Sequence, residues 1–319
     1  MHEFELIKSY FQKLSENSSS ALNLNDDVFF NKKNRLVVSV DTYTEGNHFL
    51  NFKKPDLVIK KIIRASISDI ICKGVQPKYY FISGSGNKKT FSKSNLLKIS
   101  KSLNQEQRKY KILLSGGDTV FSNKLSFTIT SIGFSKDIVY RNKAKINDDI
   151  YVSGNLGDSY LGLLVLKNKI KLNRFLSKYF IKKYFMPDIH LKLAKKIKKF
   201  ANTSIDISDG LLADLDKMLN DQKLSYSLDL RKIPISNNLQ KVLVLKKLSK
   251  SNYISNGDDY QVLFTASKNK RRIIKKMSSN YRIKLTKIGS IQSINKKSCL
   301  IDNKKKTISL KNKGYFHQF

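Results

Sequence analysis

The 319-residue chain is poor in several of the residues that build familiar functional sites. Its two cysteines, Cys72 and Cys299, are too few for a disulfide framework or a cysteine metal cluster, and they suit a reducing cytoplasm. Four histidines, His2, His48, His190 and His317, do not make a His-rich zinc site. No apolar run approaches the roughly 18 residues needed to cross a bilayer, and residues 1–5 have neither the basic nor the apolar region of a signal peptide. No membrane partner is therefore expected. The phosphate-binding pattern G-x-x-x-x-G-K-[ST] is absent, as are the H-R-D and D-F-G patterns of protein kinases.

Acidic residues are the other scarcity. The chain holds 61 Lys and Arg against 25 Asp and Glu, a formal net charge of +36. Such an excess invites a polyanionic partner. Yet 52 of the cations are lysine and nine arginine, whereas nucleic-acid readers favour arginine for bidentate and stacking contacts. The lysines run along the whole chain, and 27 asparagines accompany only seven alanines. That pattern reads as drift toward lysine on a solvated surface, and no nucleic-acid partner is expected. The acids are more informative: 20 are aspartate and five glutamate. A short, stiff carboxylate is wanted at metal sites and in turns. With 40% apolar and 10% aromatic residues, the chain reads as a soluble globular protein long enough for two domains.

Residue patterning outlines an α/β order. Residues 36–41 read as a strand. Pro55-Asp56 opens a helix with Asp56 as N-cap and Ile59, Ile62, Ile63, Ile67 and Ile70 at helical spacing. A strand at 79–83, a helix at 93–109, a short strand at 111–114 running into Ser115-Gly116-Gly117-Asp118, and a strand at 125–134 follow. A polar stretch at 143–149 marks a boundary that divides the chain into domains 1–146 and 147–319. The second half reads as a strand at 150–153, a helix through 161–166, a basic helix at 188–200 and a strand at 204–207 entering Ser208-Asp209-Gly210. A helix with Leu211, Leu212, Leu215, Met218 and Leu219 on one face comes next. Strands near 226–230 and 260–265, a helix at 268–279 and strands at 283–291 and 298–310 complete it.

Five aspartate segments stand out: Asn25-Asp26-Asp27, Ser39-Val40-Asp41-Thr42, Ser68-Asp69, Gly116-Gly117-Asp118-Thr119 and Asp206-Ile207-Ser208-Asp209-Gly210. Singly, the first and fourth read as turns and the last as a helix cap. Asp69 lies at the margin of an apolar helical face, which is costly unless a cation meets it. Ser39 and Asp41 share one strand face beside the Val40 carbonyl, and these hard oxygen donors suit Mg²⁺. Jointly, in a chain with few acids, the five point to a metal site. Gly116-Gly117 and the helix N-terminus at Gly210 add backbone N–H groups for a phosphate. Carboxylates, Mg²⁺ and such backbone are the equipment of phosphoryl transfer.

In order and spacing these segments resemble the thiamine-monophosphate kinase family of the aminoimidazole ribonucleotide synthetase-like superfamily. The resemblance runs from position 4 to position 315 and is most specific at Val40-Asp41-Thr42 and Glu45-Gly46-Asn47-His48-Phe49. It includes Gly74, Arg141, Gly154-x-x-Gly157-Asp158, Gly257-Asp258-Asp259-Tyr260 and Gly314-Tyr315. It implies a two-domain aminoimidazole ribonucleotide synthetase-like fold of α/β (α+β) class. An N-terminal mixed sheet with helices would form a homodimer, and a C-terminal α/β domain would complete the active site in the cleft. It also implies ATP-dependent phosphorylation of thiamine phosphate to thiamine diphosphate with several Mg²⁺ ions.

Carried over by position, Asp27, Ser39, Val40 (through its carbonyl), Asp41, Asp69, Asp118, Asp206 and Asp209 would ligate metal. Gly117, Asp118, Arg141 and Ser208 would contact ATP, and His48, Asp258 and Tyr315 the thiamine phosphate. The acceptor is an already ionised phosphate, so direct in-line transfer without a side-chain nucleophile is implied. The chain departs from the family pattern at Leu22-Asn23-Leu24-Asn25-Asp26-Asp27, where Gly-Ile-Gly-Asp-Asp is usual, and at His190, where Arg is common. Three rival readings are another ATP-using member of the superfamily, a basic nucleic-acid-binding protein and a degenerate scaffold.

Overall fold

Alternating apolar residues build the first sheet of the chain, seen in a computed structural model that describes residues 3–302, 304, 306–308, 314 and 315. His2, His317 and positions 303, 305, 309 and 310 of the expected last strand lie outside the described residues. After a single helical turn, α1 (Glu3–Leu6), come β1 (Phe29–Asn31), β2 (Leu36–Thr44), β3 (Pro77–Gly86), β4 (Leu113–Phe121) and β5 (Ser126–Phe134). They pair in the order β1-β2-β5-β3-β4, parallel only between β3 and β4. Phe127 and Ile129 of β5 face two helices, α2 (Pro55–Cys72) and α3 (Lys93–Tyr110). Ile59, Ile62, Ile63, Ile67 and Ile70 of α2 are each no more than 1% exposed, and a buried isoleucine contributes roughly 1.5–3 kcal/mol. Helix α2 is therefore the central rod of the molecule.

Two local expectations fail here. Asp56 is not the N-cap of α2; Lys54 is, with Pro55 at the first turn, and Asp56 lies inside it. A proline there needs no N–H partner, and an acid in the first turn favours the helix dipole. The segment Gly116-Gly117-Asp118 is not a turn, since β4 runs straight through it to Phe121. The glycines are needed inside the sheet: a Cβ on Gly117, at φ +156°, would lie 1.8 Å from the Ile82 carbonyl oxygen. The β3–β4 register shifts at that place, between Tyr80 and Ile82.

The second sheet comprises β6 (Asp149–Ser153), β7 (Thr203–Asp206), β8 (Leu224–Asp229), β9 (Val262–Ala266), β10 (Leu285–Ser293), β11 (Cys299–Ile301) and β12 (Thr307–Ile308). Its order is β12-β11-β8-β10-β6-β9-β7, and its one parallel pair is β8 with β11. Around it lie α4 (Asp158–Leu166), α5 (Arg174–Phe185), α6 (Leu191–Ala194), α7 (Leu211–Met218), α8 (Asn237–Leu245), α9 (Lys250–Ile254) and α10 (Arg271–Tyr281). The basic helix expected at 188–200 is instead the single turn α6 and a 3₁₀ turn at Ile197–Lys199. Lys195, Lys196, Lys198 and Lys199 have no acid at i+3 or i+4 to offset their repulsion. Buried Leu193, Ala194, Ile197 and Phe200 hold the segment down instead.

The two sheets meet where the edge strand β7 docks on the C-terminal end of α2. Ser204 Oγ donates to the Cys72 carbonyl at 2.6 Å, Lys73 Nζ donates to the Ser204 carbonyl at 2.9 Å, and Ser68 Oγ donates to Asp206. Thr203 Oγ1 donates to the Tyr140 carbonyl at 2.8 Å.

Candidate active site

A cavity of about 580 Å³ opens between the sheets above this contact. Three carboxylates converge on it from three elements: Asp41 on β2, Asp69 on α2 and Asp206 at the end of β7. Asp206 is buried, while Asp41 and Asp69 are partly exposed to the cavity. Ser39, on the same face of β2 as Asp41, donates its Oγ to Asp69 at 2.6 Å. Tyr43 Oη donates to Asp41 at 3.2 Å. The cation that would offset Asp69 is not supplied by a side chain: among the described residues no ion pair involves any of the three.

Desolvation pushes Asp41 up to about 6 and Asp206 up to about 7, with hydrogen bonds from Tyr43 and Ser68 opposing. Asp69 is raised well above the carboxylate range by desolvation and then by the charges of Asp41 and Asp206. Hard oxygens crowded against like charge form a donor set that fits Mg²⁺, which would hold all three ionised. Cys72 Sγ also lies near Asp27 and Asp206. That thiol donates to the Asp69 carbonyl at 3.0 Å, and burial holds it protonated, so it is not an ionised ligand.

A second group of acids is already paired with cations. Lys73 Nζ lies 2.6 Å from Asp26 Oδ1 and 2.7 Å from Asp27 Oδ2, and the Arg141 guanidinium pairs with Asp27. Desolvation opposes the charge on Lys73, but attraction to Asp26 more than offsets it and the pKa is raised. Lys217 pairs with Asp209. Neither Ser208 nor Asp209 caps α7. Buried Asp214, inside the helix, accepts the N–H groups of Asp209 at 2.9 Å and Gly210 at 3.0 Å. Burial pushes Asp214 up to about 6, with Lys217 opposing.

Another part of the site joins a buried ion pair to polar aromatic side chains. Asp258 Oδ1 lies 2.7 Å from Nζ of Lys61, a wholly buried lysine whose ammonium sits 3.8 Å over the Tyr184 ring. Desolvation lowers the Lys61 pKa while Asp258 opposes. Tyr260 Oη donates to Asp258 at 3.0 Å, and Tyr184 Oη donates to the His48 carbonyl at 3.3 Å. His48 Nδ1 accepts the Thr44 N–H at 3.0 Å, which orients the ring. Backbone bonds lace this part to the acid turn: Asp258 N–H to the Ser208 carbonyl, 2.7 Å; Tyr260 to Ile207, 2.8 Å; Tyr315 to Asp209, 2.9 Å. Gly257, at φ +68°, permits the approach, since a Cβ there would lie 2.1 Å from the Ser208 oxygen.

Residues 24–135 match the family described as AIR synthase related protein, N-terminal domain. Over 99% of the chain, the thiamine-monophosphate kinase of Buchnera aphidicola subsp. Acyrthosiphon pisum is 36% identical, across 98% of its own length. This chain belongs to the thiamine-monophosphate kinase family. Among solved structures, "AaThiL complexed with AMPPCP and TMP" superposes with a TM-score of 0.85 at 27% identity, covering 99% of this chain and 97% of that one. Thiamine monophosphate kinase from Aquifex aeolicus superposes at 0.79 with 26% identity, covering 97% and 99%.

Of the positions carried over from the thiamine-monophosphate kinase pattern, Asp27, Asp41, Asp69, Asp206 and Asp209 border the cavity. Arg141, Ser208, His48, Asp258 and Tyr315 border it too. Ser39 stands behind Asp69. Val40, Gly117 and Asp118 are not part of the cavity wall: the Val40 side chain is 61% exposed, and Gly117 and Asp118 ride on β4, exposed along its whole length. At the family's glycine loop, Asn23 takes the left-handed conformation, φ +56°, as asparagine readily does. Asn25 does not, at φ −118°, while Leu22 and Leu24 stand at +52° and +53°.

Sequence reasoning missed Lys61, Lys73 and Asp214, and it quoted Tyr260 only as part of a motif, without a role. A signal existed for the two lysines. Lys61 interrupts the isoleucine stripe of α2, and Lys73 stands four residues after Asp69 at the end of the uncharged run 70–72. A cation in an apolar helical stripe demands a partner as much as an anion does.

Proposed function

We propose that this chain phosphorylates thiamine phosphate to thiamine diphosphate with ATP as donor, in the cavity between its two sheets. The observation that carries the reading is the convergence of Asp41, Asp69 and Asp206 on one cavity, without a side-chain counter-ion among the described residues, in a chain of this family. The relative described as complexed with AMPPCP and TMP supports the choice of ligands. Asp41, Asp69 and Asp206 would hold Mg²⁺, with Ser39 and Asp209 beside them, and the metal would lower the repulsion between two polyanions.

The chain's own residues do the rest. The N-terminus of α7, with Ser208 and Gly210 before it, presents a positive dipole end to phosphate. Arg141 faces the same space and suits phosphate oxygens through its planar fork. His48, Asp258 and Tyr315 form the acceptor's wall, where Tyr315 can lie against a heteroaromatic ring. The accepting oxygen is already ionised, so transfer is direct and in-line, without a phosphoenzyme.

We further read residues 1–146 and 147–319 as two domains of a cytoplasmic homodimer. The exposed edge β4, bearing Leu113, Leu114, Val120 and Phe121, supports pairing through the first sheet. Gly117 and Asp118 would then reach nucleotide or metal across that interface. The deciding experiment incubates the purified chain with ATP, MgCl₂ and thiamine phosphate and separates the products by chromatography. Thiamine diphosphate and ADP in equal amounts are expected; ATP turnover only with another acceptor would replace this reading by a different member of the superfamily.

A further inference from the structure

Lys73 is 0% exposed, and its ammonium has three oxygen partners: Asp26 Oδ1 at 2.6 Å, Asp27 Oδ2 at 2.7 Å and the Ser204 carbonyl at 2.9 Å. An ammonium has three N–H bonds to give, so it is fully satisfied. The carboxylates around it are equally committed. Asp26 Oδ1 also accepts the Asp27 N–H at 2.8 Å, and Asp26 Oδ2 accepts the Arg141 N–H at 2.9 Å. Asp27 Oδ1 pairs with the Arg141 guanidinium, whose Nε donates to Oδ2 at 3.3 Å. The Asp26 and Asp27 side chains are 3% and 9% exposed. Two anions and two cations balance in this corner. A divalent ion added to it would find every carboxylate oxygen taken and would leave two positive charges uncompensated away from water. Asp41, Asp69 and Asp206 meet hydroxyl groups instead, and no cation among the described residues forms an ion pair with them.

We propose that Lys73 is a tethered cation that takes the position of a divalent ion at the Asp26–Asp27 corner, leaving Asp41, Asp69 and Asp206 to hold the metal. Asp27 is then the anchor of Lys73 and Arg141, a role different from the metal ligation that the family resemblance implies. Lys73 neutralises the corner permanently, at any divalent-ion concentration, and keeps Arg141 aligned on the cavity. The inference rests on the metal reading above.

The test counts bound Mn²⁺ on the full-length protein at pH 7.5 from the loss of the free-ion electron paramagnetic resonance signal. Asp27→Asn should keep the wild-type count, and Asp69→Asn should lose at least one ion per chain. Lys73→Ala, which frees the corner and opens room for a hydrated ion, should gain one. Loss of an ion in Asp27→Asn, or a folded Lys73→Ala with the wild-type count, overturns the proposal. Should Lys73→Ala fail to fold, the Asp27→Asn and Asp69→Asn pair still decides. A wild-type protein that binds no Mn²⁺ sinks the metal centre itself, and a gained ion in Lys73→Ala remains readable on its own.

Discussion

At the scale of single residues, the like charges of Asp41, Asp69 and Asp206 set two expectations. Asp69→Asn removes a carboxylate that three elements aim at one point, and turnover should fall at least about 100-fold with the far-ultraviolet circular dichroism unchanged. The second concerns stability. Asp41 and Asp206 have folded pKa values of about 6 and 7, above the ordinary 3.8. A raised carboxyl favours the folded state while protonated, so its contribution is complete below about pH 4 and is lost as pH rises through 6 to 7. Asp69 bears the same penalty when ionised, from burial and then from the charges of Asp41 and Asp206, and asparagine removes it. In EDTA, urea titration should find Asp69→Asn more stable than wild type at pH 8. The gap should close toward pH 4. Millimolar Mg²⁺ should narrow or reverse it, because only the wild type gains from the ion.

Leu24 offers a separate test. A leucine at φ +53° bears the steric cost of the left-handed region, so Leu24→Gly should stabilise the protein by about 0.5–1 kcal/mol in the same titration.

Elements were legible where periodicity was strong and illegible where charge masked it. The isoleucine stripe gave α2 nearly to its ends, and the alternation around Phe127 and Ile129 gave β5. Helix α5 escaped notice because lysines and aromatics blur the apolar face that buries Phe180 and Tyr184, and α8 because its nine residues are too short for a clear period around Leu239 and Val242. The carboxylates on β2, at the end of β7 and on α2 were readable because acids are so rare in this chain, although β2 runs on past Asp41 to Thr44 where the strand was expected to end at 41. Their meeting was not, since Ser39 and Asp69 lie 30 residues apart and Ser68 and Asp206 lie 138 apart. Gly116-Gly117 illustrates the limit of a short motif: two glycines before an aspartate read as a turn, yet their need comes from Phe81 and Ile82 on the neighbouring strand. Gly117→Ala should therefore cost at least about 2 kcal/mol by forcing β3 and β4 apart. Its urea midpoint should drop with the slope unchanged; a midpoint within error of wild type would refute the close approach.

For the molecule as a whole, the +36 charge proved less informative than the acids it surrounds. A basic chain with acid-lined cavities attracts small polyphosphates without needing a nucleic-acid face. The exposed apolar edge β4 is the larger departure from an ordinary surface. If two copies pair there, Phe121→Asp should convert the dimer into monomers in sedimentation velocity, Phe121 being 75% exposed in the single chain.

The cavity floor has a mechanical consequence. Four hydrogen bonds, from Ser204, Lys73, Ser68 and Thr203, rivet β7 to α2 and the segment after β5. These bonds tie the two sheets together at the floor of the enclosed space. Glu3, Ile7, Leu24 and Tyr315, from the two ends of the chain, also line that space. Amide exchange should be slowest at 203–207 and faster at Glu3, Ile7 and Leu24, where bound nucleotide should slow it.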